Sequence, residues 1–576
     1  MKEKEHDERK SLLLNRFQWS EKWRRPFDEK WLRWYKAFRG AVPKLPKGEE
    51  DRSNLHIPYT YSTVDTVRSK LLTAIFATRP YISYVPVGEN DVGNAENMQT
   101  LVDSQLEKSD VLVKMYNLIT DMLIYGGCPF ETGWKYETKT RKSKQPRQVL
   151  GFLLGYSEVE QEVPVWDDPD FNPFMIDDFF PDPDGTDIDN GVWAIRRRLI
   201  TEKELRAQEK LGIYKIRDFD ELRAAIDDIS KGKQDRLAAI GASHHQADIG
   251  DVGSRRFEVL EMWEDGRDSW VSTLINRKEI VRDGDNPFWH GKKPFGFAKF
   301  DPLNGEFFGV SLVEIIEYLQ AELNTTRNQR IDATSIAINR MYKVLKTAGI
   351  EPADLVSRPN GIVWLDRMDD IQELDFTPPP VEAFQEEDII KKDIQEATST
   401  YAEARGAQSE GKRTATENAI RERSSSLRFE VKSMLFESFG LKRLGMFYDQ
   451  LNQQFIDDVK RVRVQTDSGY EWRPIGPEDI AGSYDYKPSG TAIEPTLDAA
   501  NHRSNMMALY DKFAQDPEIK TRELKKRVFD AFGIKDSENL LKSEQEIMQE
   551  QQQALAEAQA MQGGGGVGTV VPGQIA

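Results

Sequence analysis

The chain has 576 residues, of which 39% are hydrophobic and 31% charged, and its formal net charge of −18 argues against tight nucleic-acid binding, which depends on clustered Lys and Arg. The length predicts about three or four domains, and we find no apolar run long enough to span a membrane and no signal peptide. Cys128 is the only cysteine, which excludes an internal disulfide framework and fits a reducing cytoplasm.

Residues 1–308 mix helical and strand patterns and are predicted to fold as an α+β region. Trp31, Trp34, Tyr35 and Phe38 follow one another at helical spacing and give the first helix an aromatic stripe. Such a stripe is more often a core or a subunit interface than a membrane or nucleic-acid surface, and we interpret it as a subunit interface. Further helices are expected over 63–77 and 97–125, and strands over 130–137, 163–166, 192–200, 257–263 and 270–275.

A long helix is predicted over 309–346. One apolar stripe comprises Leu312, Ile315, Ile316, Leu319 and Leu323. Residues 324–335 are too polar for the core of a monomer but contain neither Gly nor Pro. A helix of this extent would be about 57 Å long at 1.5 Å per residue, longer than a small domain is wide. The alternative interpretation is an exposed helix that connects two domains.

A small folded insert is predicted over 347–380. Prolines and glycines bound two short apolar runs in it, 362–365 and 371–376, and this pattern is typical of short strands. A second helix is expected over 381–405. Its charged residues are mostly acidic, so its exposed face should be negative.

The loop over 406–413 nearly matches the phosphate-binding pattern G-x-x-x-x-G-K-[ST], because Gly406 and Gly411 are followed by Lys412. Arg413 stands where the pattern requires the hydroxyl that holds magnesium, and an acidic helix rather than a buried strand precedes the loop. The loop is therefore not expected to bind a nucleotide.

The remainder of the chain is predicted to be mainly helical. Residues 414–498 should comprise a long helix towards residue 455 and short strands that return the chain to the N-terminal region, near 462–464, 470–473 and 484–487. Residues 499–562 should form helices over 499–513, 521–532 and 540–561, the last of which could bundle with copies of itself. A disordered tail is expected over 563–576.

Several blocks of the sequence, taken in their order, resemble the portal (head-to-tail connector) proteins of tailed bacteriophages. Each block alone is weakly specific, but their order is more specific and together they cover most of the chain. They are Asn54-Leu-His-Ile-Pro58, Lys70-Leu-Leu, Arg79-Pro80, Pro302-Leu-Asn-Gly-Glu-Phe-Phe-Gly309, Leu319-Gln320 with Asn324 and Arg327-Asn328, Arg358-Pro-Asn-Gly361, and Thr414-Ala-Thr-Glu417.

The resemblance implies an α+β portal fold and a ring, usually of about twelve subunits, with an α/β wing, a long-helix stem, a small α/β clip and a helical crown. Applied to this chain, it assigns 1–308 and 414–498 to the wing, 309–346 and 381–405 to the stem, 347–380 to the clip, 406–413 to a tunnel loop, and 499–562 to the crown.

The function implied by the resemblance is structural rather than enzymatic, with no cofactor and no metal. Such a ring is assembled in the host cytoplasm, occupies one capsid vertex of the virion, and passes double-stranded DNA during packaging and ejection. The implied partners are the terminase large subunit, a head–tail adaptor protein, and the major capsid and scaffolding proteins, with no membrane.

The resemblance also places candidate contact residues. Those expected to touch DNA in the tunnel loop are Gly406, Gly411, Lys412 and Arg413. Weaker candidates for DNA or partner contact, in or near the clip, are Lys343, Lys346 and Arg358. An ordinary solvated charge is an equal alternative for each basic residue in these two sets.

A nucleic-acid-processing enzyme, such as a nuclease or an ATPase, is the competing interpretation. It requires a grouped carboxylate site or a complete nucleotide-binding loop, and the sequence contains neither pattern. The acidic net charge fits a conduit whose interior repels DNA and lets it slide, and it fits equally a protein that charge keeps soluble.

Overall fold

The computed structural model describes residues 3–76, 79–149, 152–223, 235–236, 238–239, 256–265, 269–338, 341–347, 349–351, 355, 362, 364–365, 367–374, 382–400, 427–466, 469–488, 506–513 and 521–531. The chain divides into two compact units, Met1–Val462 with Arg473–Ala492, and Arg463–Trp472 with Ile493–Ala576. No helix among the described residues is long and apolar enough to cross a membrane.

The helices are distributed along the whole described chain. They are α1 (Glu3–Arg39), α2 (Tyr59–Phe76), α3 (Val92–Lys108), α4 (Val111–Tyr125), α5 (Glu202–Lys210), α6 (Phe219–Arg223), α7 (Leu312–Ile338), α8 (Glu382–Thr398), α9 (427–436), α10 (Lys442–Phe455), α11 (506–513) and α12 (Thr521–Ala531). A π-helical segment, Glu437–Leu441, joins α9 to α10.

The strands are β1 (Ile82–Pro86), β2 (Gly127–Val149), β3 (Phe152–Pro173), β4 (Phe179–Pro181), β5 (Trp193–Thr201), β6 (Arg256–Glu264), β7 (Trp270–Ile275), β8 (Glu279–Asp285), β9 (Phe295–Lys299), β10 (Tyr342–Val344), β11 (Ile371–Glu373), β12 (Lys460–Thr466), β13 (Gly469–Ile475) and β14 (Tyr484–Pro488). They form a five-stranded sheet ordered β4-β5-β6-β7-β8, a three-stranded sheet β3-β2-β9, and the pairs β1-β14, β10-β11 and β12-β13. The mixed α+β class predicted from the sequence is confirmed.

The five-stranded sheet has a buried cluster on each face. Successive residues of a strand point to opposite faces, and the two faces of β6 accordingly join different clusters. Leu260 packs in one cluster with Leu13 and Phe17 of α1. Val259 packs in the other with Leu205 of α5. The sheet therefore lies between α1 and α5, which is why its strands read as nearly continuous apolar runs.

The aromatic stripe of α1 faces the core of its own chain. Trp31 and Trp34 are 1% and 3% exposed. The ring of Trp31 meets that of Phe308 edge-on, with 5.0 Å between centroids, and the indole N–H of Trp34 donates to Glu317 of α7 across 3.0 Å. The predicted subunit interface is therefore wrong for these two residues. Helical spacing identifies a buried face but not the segment that covers it.

Two predicted helices end earlier than expected. The helix predicted over 97–125 is broken into α3 and α4 at Asp110, whose φ of 54° is left-handed. The helix predicted over 309–346 ends at Ile338, short of Lys346. The chain then enters β10, which pairs antiparallel with β11. Backbone hydrogen bonds to β11 replace the helical ones, and the sequence around residue 338, which contains neither Gly nor Pro, did not indicate this change.

The other predicted elements are largely present. The strands predicted over 192–200, 257–263 and 270–275 correspond to β5, β6 and β7, and β11 starts at Ile371 as expected, whereas residues 362, 364 and 365 are not in a strand. The helix predicted over 381–405 is α8, which ends at Thr398. Parts of the predicted long helix, of the following strands and of two later helices are confirmed by α9 to α12 and β12 to β14. Residues 401–426, 540–561 and 563–576 lie outside the described residues.

The hairpin of β2 and β3 is much longer than the strands predicted over 130–137 and 163–166. Its register shifts between Glu137 and Thr138. Beyond this point we call residues 138–149 and 152–165 the arm. The β2 strand of the arm has no large apolar residue before Val149, so it lacks the alternation of apolar and polar residues that identifies a half-buried strand.

Candidate functional site

The start of α7 is fixed by a close contact between two glycines. Gly126 ends α4 with a φ of 81°, and a Cβ there would collide with the carbonyl oxygen of Gly309. Ser311 then caps α7: its hydroxyl donates to the carbonyl of Ile124 at 2.6 Å and accepts from the backbone N–H of Val313 at 3.0 Å. Gly309 and Ser311 therefore have a structural role, because they direct α7 away from the end of α4.

An extended segment, 53–58, runs along α7, and we call it the strap. Four polar side chains of α7, spaced four residues apart, accept hydrogen bonds from the backbone of the strap and from that of Thr60, the second residue of α2. Asp332 accepts from Ser53 N–H at 2.6 Å, Asn328 from Leu55 N–H at 2.8 Å, Asn324 from Ile57 N–H at 3.0 Å, and Gln320 from Thr60 N–H at 2.9 Å. Two of the three amide side chains also donate back, Asn328 to the carbonyl of Leu55 and Gln320 to that of Ile57.

The match between strap and helix is geometric. Four residues of an α-helix rise about 6 Å, and two residues of an extended chain advance about 6.6 Å. Every second residue of the strap therefore meets the next side chain along α7. These hydrogen bonds explain the polarity of 324–335 on the face of α7 that meets the strap, so that face is not a pore surface. They also bring into contact two sequence blocks, 54–58 and 319–328, that resemble phage portal proteins.

Apolar contacts join α7 to α8. Ile316 and Leu323 of α7 form a buried cluster with Ile390 and Ile394 of α8, and Ile57 of the strap packs against this cluster. The second helix is therefore held by the same stripe that the sequence identified in α7.

Glu387 of α8 forms salt bridges with three basic side chains, and its own side chain is only 3% exposed. Its carboxylate accepts from Arg327 at 2.9 Å and lies 2.9 Å from Arg330 and 2.8 Å from Lys391. Burial alone would raise the pKa of Glu387, but hydrogen bonds from Arg327 and Lys391 outweigh it and lower that pKa to about 2. The carboxylate is thus ionised at neutral pH and ties α7 to α8.

The exposed face of α8 is acidic, as predicted. Glu386, Asp388, Asp393 and Glu396 are exposed, and Lys392 is the exposed basic residue among the described side chains of the helix.

The segment between α7 and α8 exposes large apolar side chains. Trp364 is 86% exposed and Met368 is 89% exposed. Three others in this segment are more than half exposed, namely Met341, Leu345 and Ile362. Exposed large apolar groups mark interaction surfaces when several occur together in one region. Trp364 was visible in the sequence within the predicted strand 362–365, but its exposure was not.

The basic residues predicted to contact DNA or partners fall mostly outside the described part of the chain. Lys343 lies in β10 opposite Gln372, Lys346 follows that strand, and both are exposed. The remaining predicted contacts, Arg358, Gly406, Gly411, Lys412 and Arg413, lie outside the described residues. Among the described residues, only Lys343 and Lys346 of the predicted contacts can be placed, on the segment between α7 and α8.

The described residues contain no group of three or more His, Cys, Asp or Glu placed to hold a metal ion. Cys128 is fully buried at the start of β2, and burial raises the pKa of its thiol well above the usual range. A thiol in that state is a packing residue rather than a nucleophile.

Comparison with protein families identifies the chain. The model of the phage SU10 portal protein family matches residues 27–164 and 156–563, which is most of the sequence. No curated protein matches it. The matched region includes the strap, α7, α8 and the segment between these helices. The resemblance to portal proteins of tailed phages is thereby confirmed, and the chain belongs to the phage SU10 portal protein family.

Proposed function

We propose that this portal protein forms a ring of about twelve copies at one capsid vertex and conducts double-stranded DNA during packaging and ejection. The family is a structural, non-enzymatic kind of virion protein. The ring would serve as the docking platform for the terminase large subunit and later for a head–tail adaptor protein. Its neighbours during assembly in the host cytoplasm would be the major capsid and scaffolding proteins.

The proposal assigns α7 and α8 to the stem and the segment between them to the clip. The wing would comprise residues 1–308 and the return over 414–498, the crown 499–562, and the tunnel loop 406–413. Two boundaries differ from the sequence interpretation: the first stem helix ends at Ile338 and the second at Thr398.

The observation that carries the ring is the exposed apolar surface of the segment between α7 and α8. Trp364 and Met368 are almost fully solvated in a single chain, and an exposed large apolar side chain gains roughly 1.5–3 kcal/mol when it is fully buried. Neighbouring copies offer the same segment at every position around a ring. Burial between copies would therefore favour assembly at this end of the helix pair.

The acidic face of α8 supports a conduit with weak DNA contacts. Glu386, Asp388, Asp393 and Glu396 would repel phosphates if the face lines the channel. Lys412 and Arg413, on a loop that begins at Gly406, would supply the few transient phosphate contacts. A loop with glycines can follow a moving duplex because its backbone dihedrals are less restricted.

Complementation of a phage that lacks its own copy of this gene tests the conduit. The wild-type chain is expected to restore DNA-filled heads. The double variant Lys412→Ala with Arg413→Ala should still assemble but change the length or the retention of packaged DNA. A matched control replaces two exposed lysines of α5, Lys203→Ala with Lys210→Ala, and should behave as wild type. Unchanged packaging by the loop variant would remove the loop from the mechanism, and empty heads with wild type would contradict the conduit.

A further inference from the structure

The arm leaves two strand edges without a partner among the described strands. On its second side β2 pairs with β9 only over Gly127–Glu131, which lies before the arm begins. β3 is the end strand of its sheet. Both outer edges of the arm therefore carry backbone N–H and C=O groups that can pair with another chain.

The two edges of the arm carry charges of opposite sign. Residues 138–149 of β2 contain five basic residues and no acidic one. Residues 152–165 of β3 contain three acidic residues and no basic one. The net charge of the chain is −18, so the basic segment of β2 has the opposite sign to the chain as a whole.

Pairing within the arm uses only part of this charge. Lys142 lies 3.0 Å from Glu160, its partner across the hairpin, and both side chains are more than half exposed. Lys139 and Arg141 lie opposite Val163 and Gln161, and Glu162 lies opposite Thr140. Lys139, Arg141 and Glu162 are exposed as well. Opposite charges thus remain available along both edges.

We propose that the arms of adjacent copies lie side by side, with the basic β2 edge of one copy against the acidic β3 edge of the next. The inference rests on the ring of the proposed function and adds to it a specific contact between subunits. The partner is a second copy of this chain, because its β3 edge carries the charge that the β2 edge requires.

The charge pattern also selects the symmetry of the contact. In a two-fold dimer the same edge meets itself, so basic would face basic or acidic would face acidic, which destabilises cross-strand neighbours. In a cyclic assembly every arm points the same way, and β2 of one copy meets β3 of the next. Because the two strands of a hairpin run in opposite directions, this neighbour pair is antiparallel, as in the hairpin itself. The sheet can continue from copy to copy.

Edge protection is the simpler explanation of charged residues on open strands, since charge discourages unwanted pairing. Protection requires charge on both edges but not opposite signs on the two edges. The separation of sign between β2 and β3 is the feature that distinguishes docking from protection.

Charge reversal tests the contact. One variant reverses the β2 edge with Lys139→Glu, Arg141→Glu and Lys142→Glu, and a second reverses the β3 edge with Glu160→Lys and Glu162→Lys. Particle mass is measured by light scattering across protein concentrations at low ionic strength, where exposed charges are least screened. We expect each variant alone to need on the order of tenfold more protein, or greater, for half-assembly, because cross-strand charge pairs contribute up to about fivefold each.

Mixing the two variants separates contacts between copies from contacts within one arm. In an alternating ring formed from an equimolar mixture, reversed β2 meets reversed β3 at half of the interfaces and the wild-type edges meet at the other half. Every interface is then complementary in charge, so assembly should return towards the wild-type concentration. Repulsion inside each arm remains in the mixture. A mixture that does not recover, while the combined variant in one chain does, would show that the charges act within the arm and would overturn the inference.

Two further outcomes are decisive. The control Lys203→Glu with Lys210→Glu, on exposed α5 positions away from the arm, should assemble as wild type. If wild type forms rings and both edge variants assemble at the same concentration as wild type, the arm contact is wrong and the ring stands. If wild type forms no ring under any of these conditions, the proposed function and the arm contact both fail.

Discussion

The helix pair and the segment that connects its two helices have opposite surface chemistry. On the faces of α7 that meet the strap and α8, polar side chains such as Asn324, Asn328 and Arg327 find partners within the chain. In the connecting segment, Trp364 and Met368 have large apolar side chains that remain in water. The polarity of α7 on the face that contacts the strap therefore did not indicate a pore surface, because the strap accounts for it. The need for other copies is indicated instead by apolar exposure.

This contrast predicts which substitutions change the stability of one chain and which change its assembly. Substitutions in the helix pair should lower the free energy of unfolding. Substitutions in the connecting segment should leave it unchanged and act on the ring.

The largest effect is expected for Leu323→Ala, which removes a fully buried side chain from the cluster between α7 and α8. Such a deletion lowers the free energy of unfolding by about 2–5 kcal/mol, through lost burial and the cavity it leaves. Urea unfolding measures the loss. Ile315→Ala, at a position 39% exposed on the same helix, is the control and should cost less than about 1 kcal/mol. Equal costs at the two positions would contradict the packing of α8 on α7.

Glu387→Gln should have the next largest effect, roughly 1–3 kcal/mol, because it leaves Arg327, Arg330 and Lys391 without their counter-charge and these partners are partly exposed. The pKa of Glu387 is lowered in the folded state, so its contribution is complete above about pH 4.5 and is lost as the pH falls towards about 2. The difference between wild type and variant should therefore shrink over that interval.

Unfolding of the Glu387→Gln variant at pH 7 and at pH 3 measures both effects. Glu386→Gln, one residue earlier and exposed, is the control and should match wild type at both values. A difference for Glu387→Gln that grows on acidification would contradict the proposed ionisation.

Gln320→Leu should cost about 1–3 kcal/mol, towards the lower end of that range, because Thr60 N–H and the carbonyl of Ile57 would lose their buried partner. Hydrogen exchange of the strap amides should rise at the same time. Gln329→Leu, on the exposed side of α7, is the control. Unchanged exchange in the Gln320 variant would show that the strap is held by other contacts.

Trp364→Ser should have the smallest effect on unfolding, within about 0.5 kcal/mol, because the side chain is already 86% exposed. Its effect on assembly should be large. Trp289→Ser, at a tryptophan 69% exposed outside the segment between α7 and α8, is the control and should assemble normally. Sedimentation velocity compares the two. Normal rings from the Trp364 variant would remove this residue from the subunit interface.

Local patterns in the sequence were sufficient for three strands of the five-stranded sheet, β5, β6 and β7, and for most of the apolar stripe of α7, but not for β4 and β8. Leu312, Ile316 and Leu323 are buried as their spacing predicts, whereas Leu319 is partly buried and Ile315, at the margin of the stripe, is 39% exposed. These features depend on neighbours within a few residues, which is the information that periodicity contains.

The features that the sequence did not reveal depend on distant partners. The strap binds α7 across more than 250 positions of the chain, and the polar spacing of Gln320, Asn324 and Asn328 identifies its side of the contact only once the strap is known. The break at Asp110 has no Gly or Pro to announce it. The arm consists of strands that pair mainly with each other, so neither strand needs an apolar face.

Negative-stain imaging of the purified wild-type chain tests the central claim most directly, since it records symmetry and an axial opening together. We predict ring-shaped particles with a central hole and cyclic symmetry of about twelve-fold order. Compact solitary particles without an opening, at concentrations where the chain is folded, would contradict the assignment of the ring.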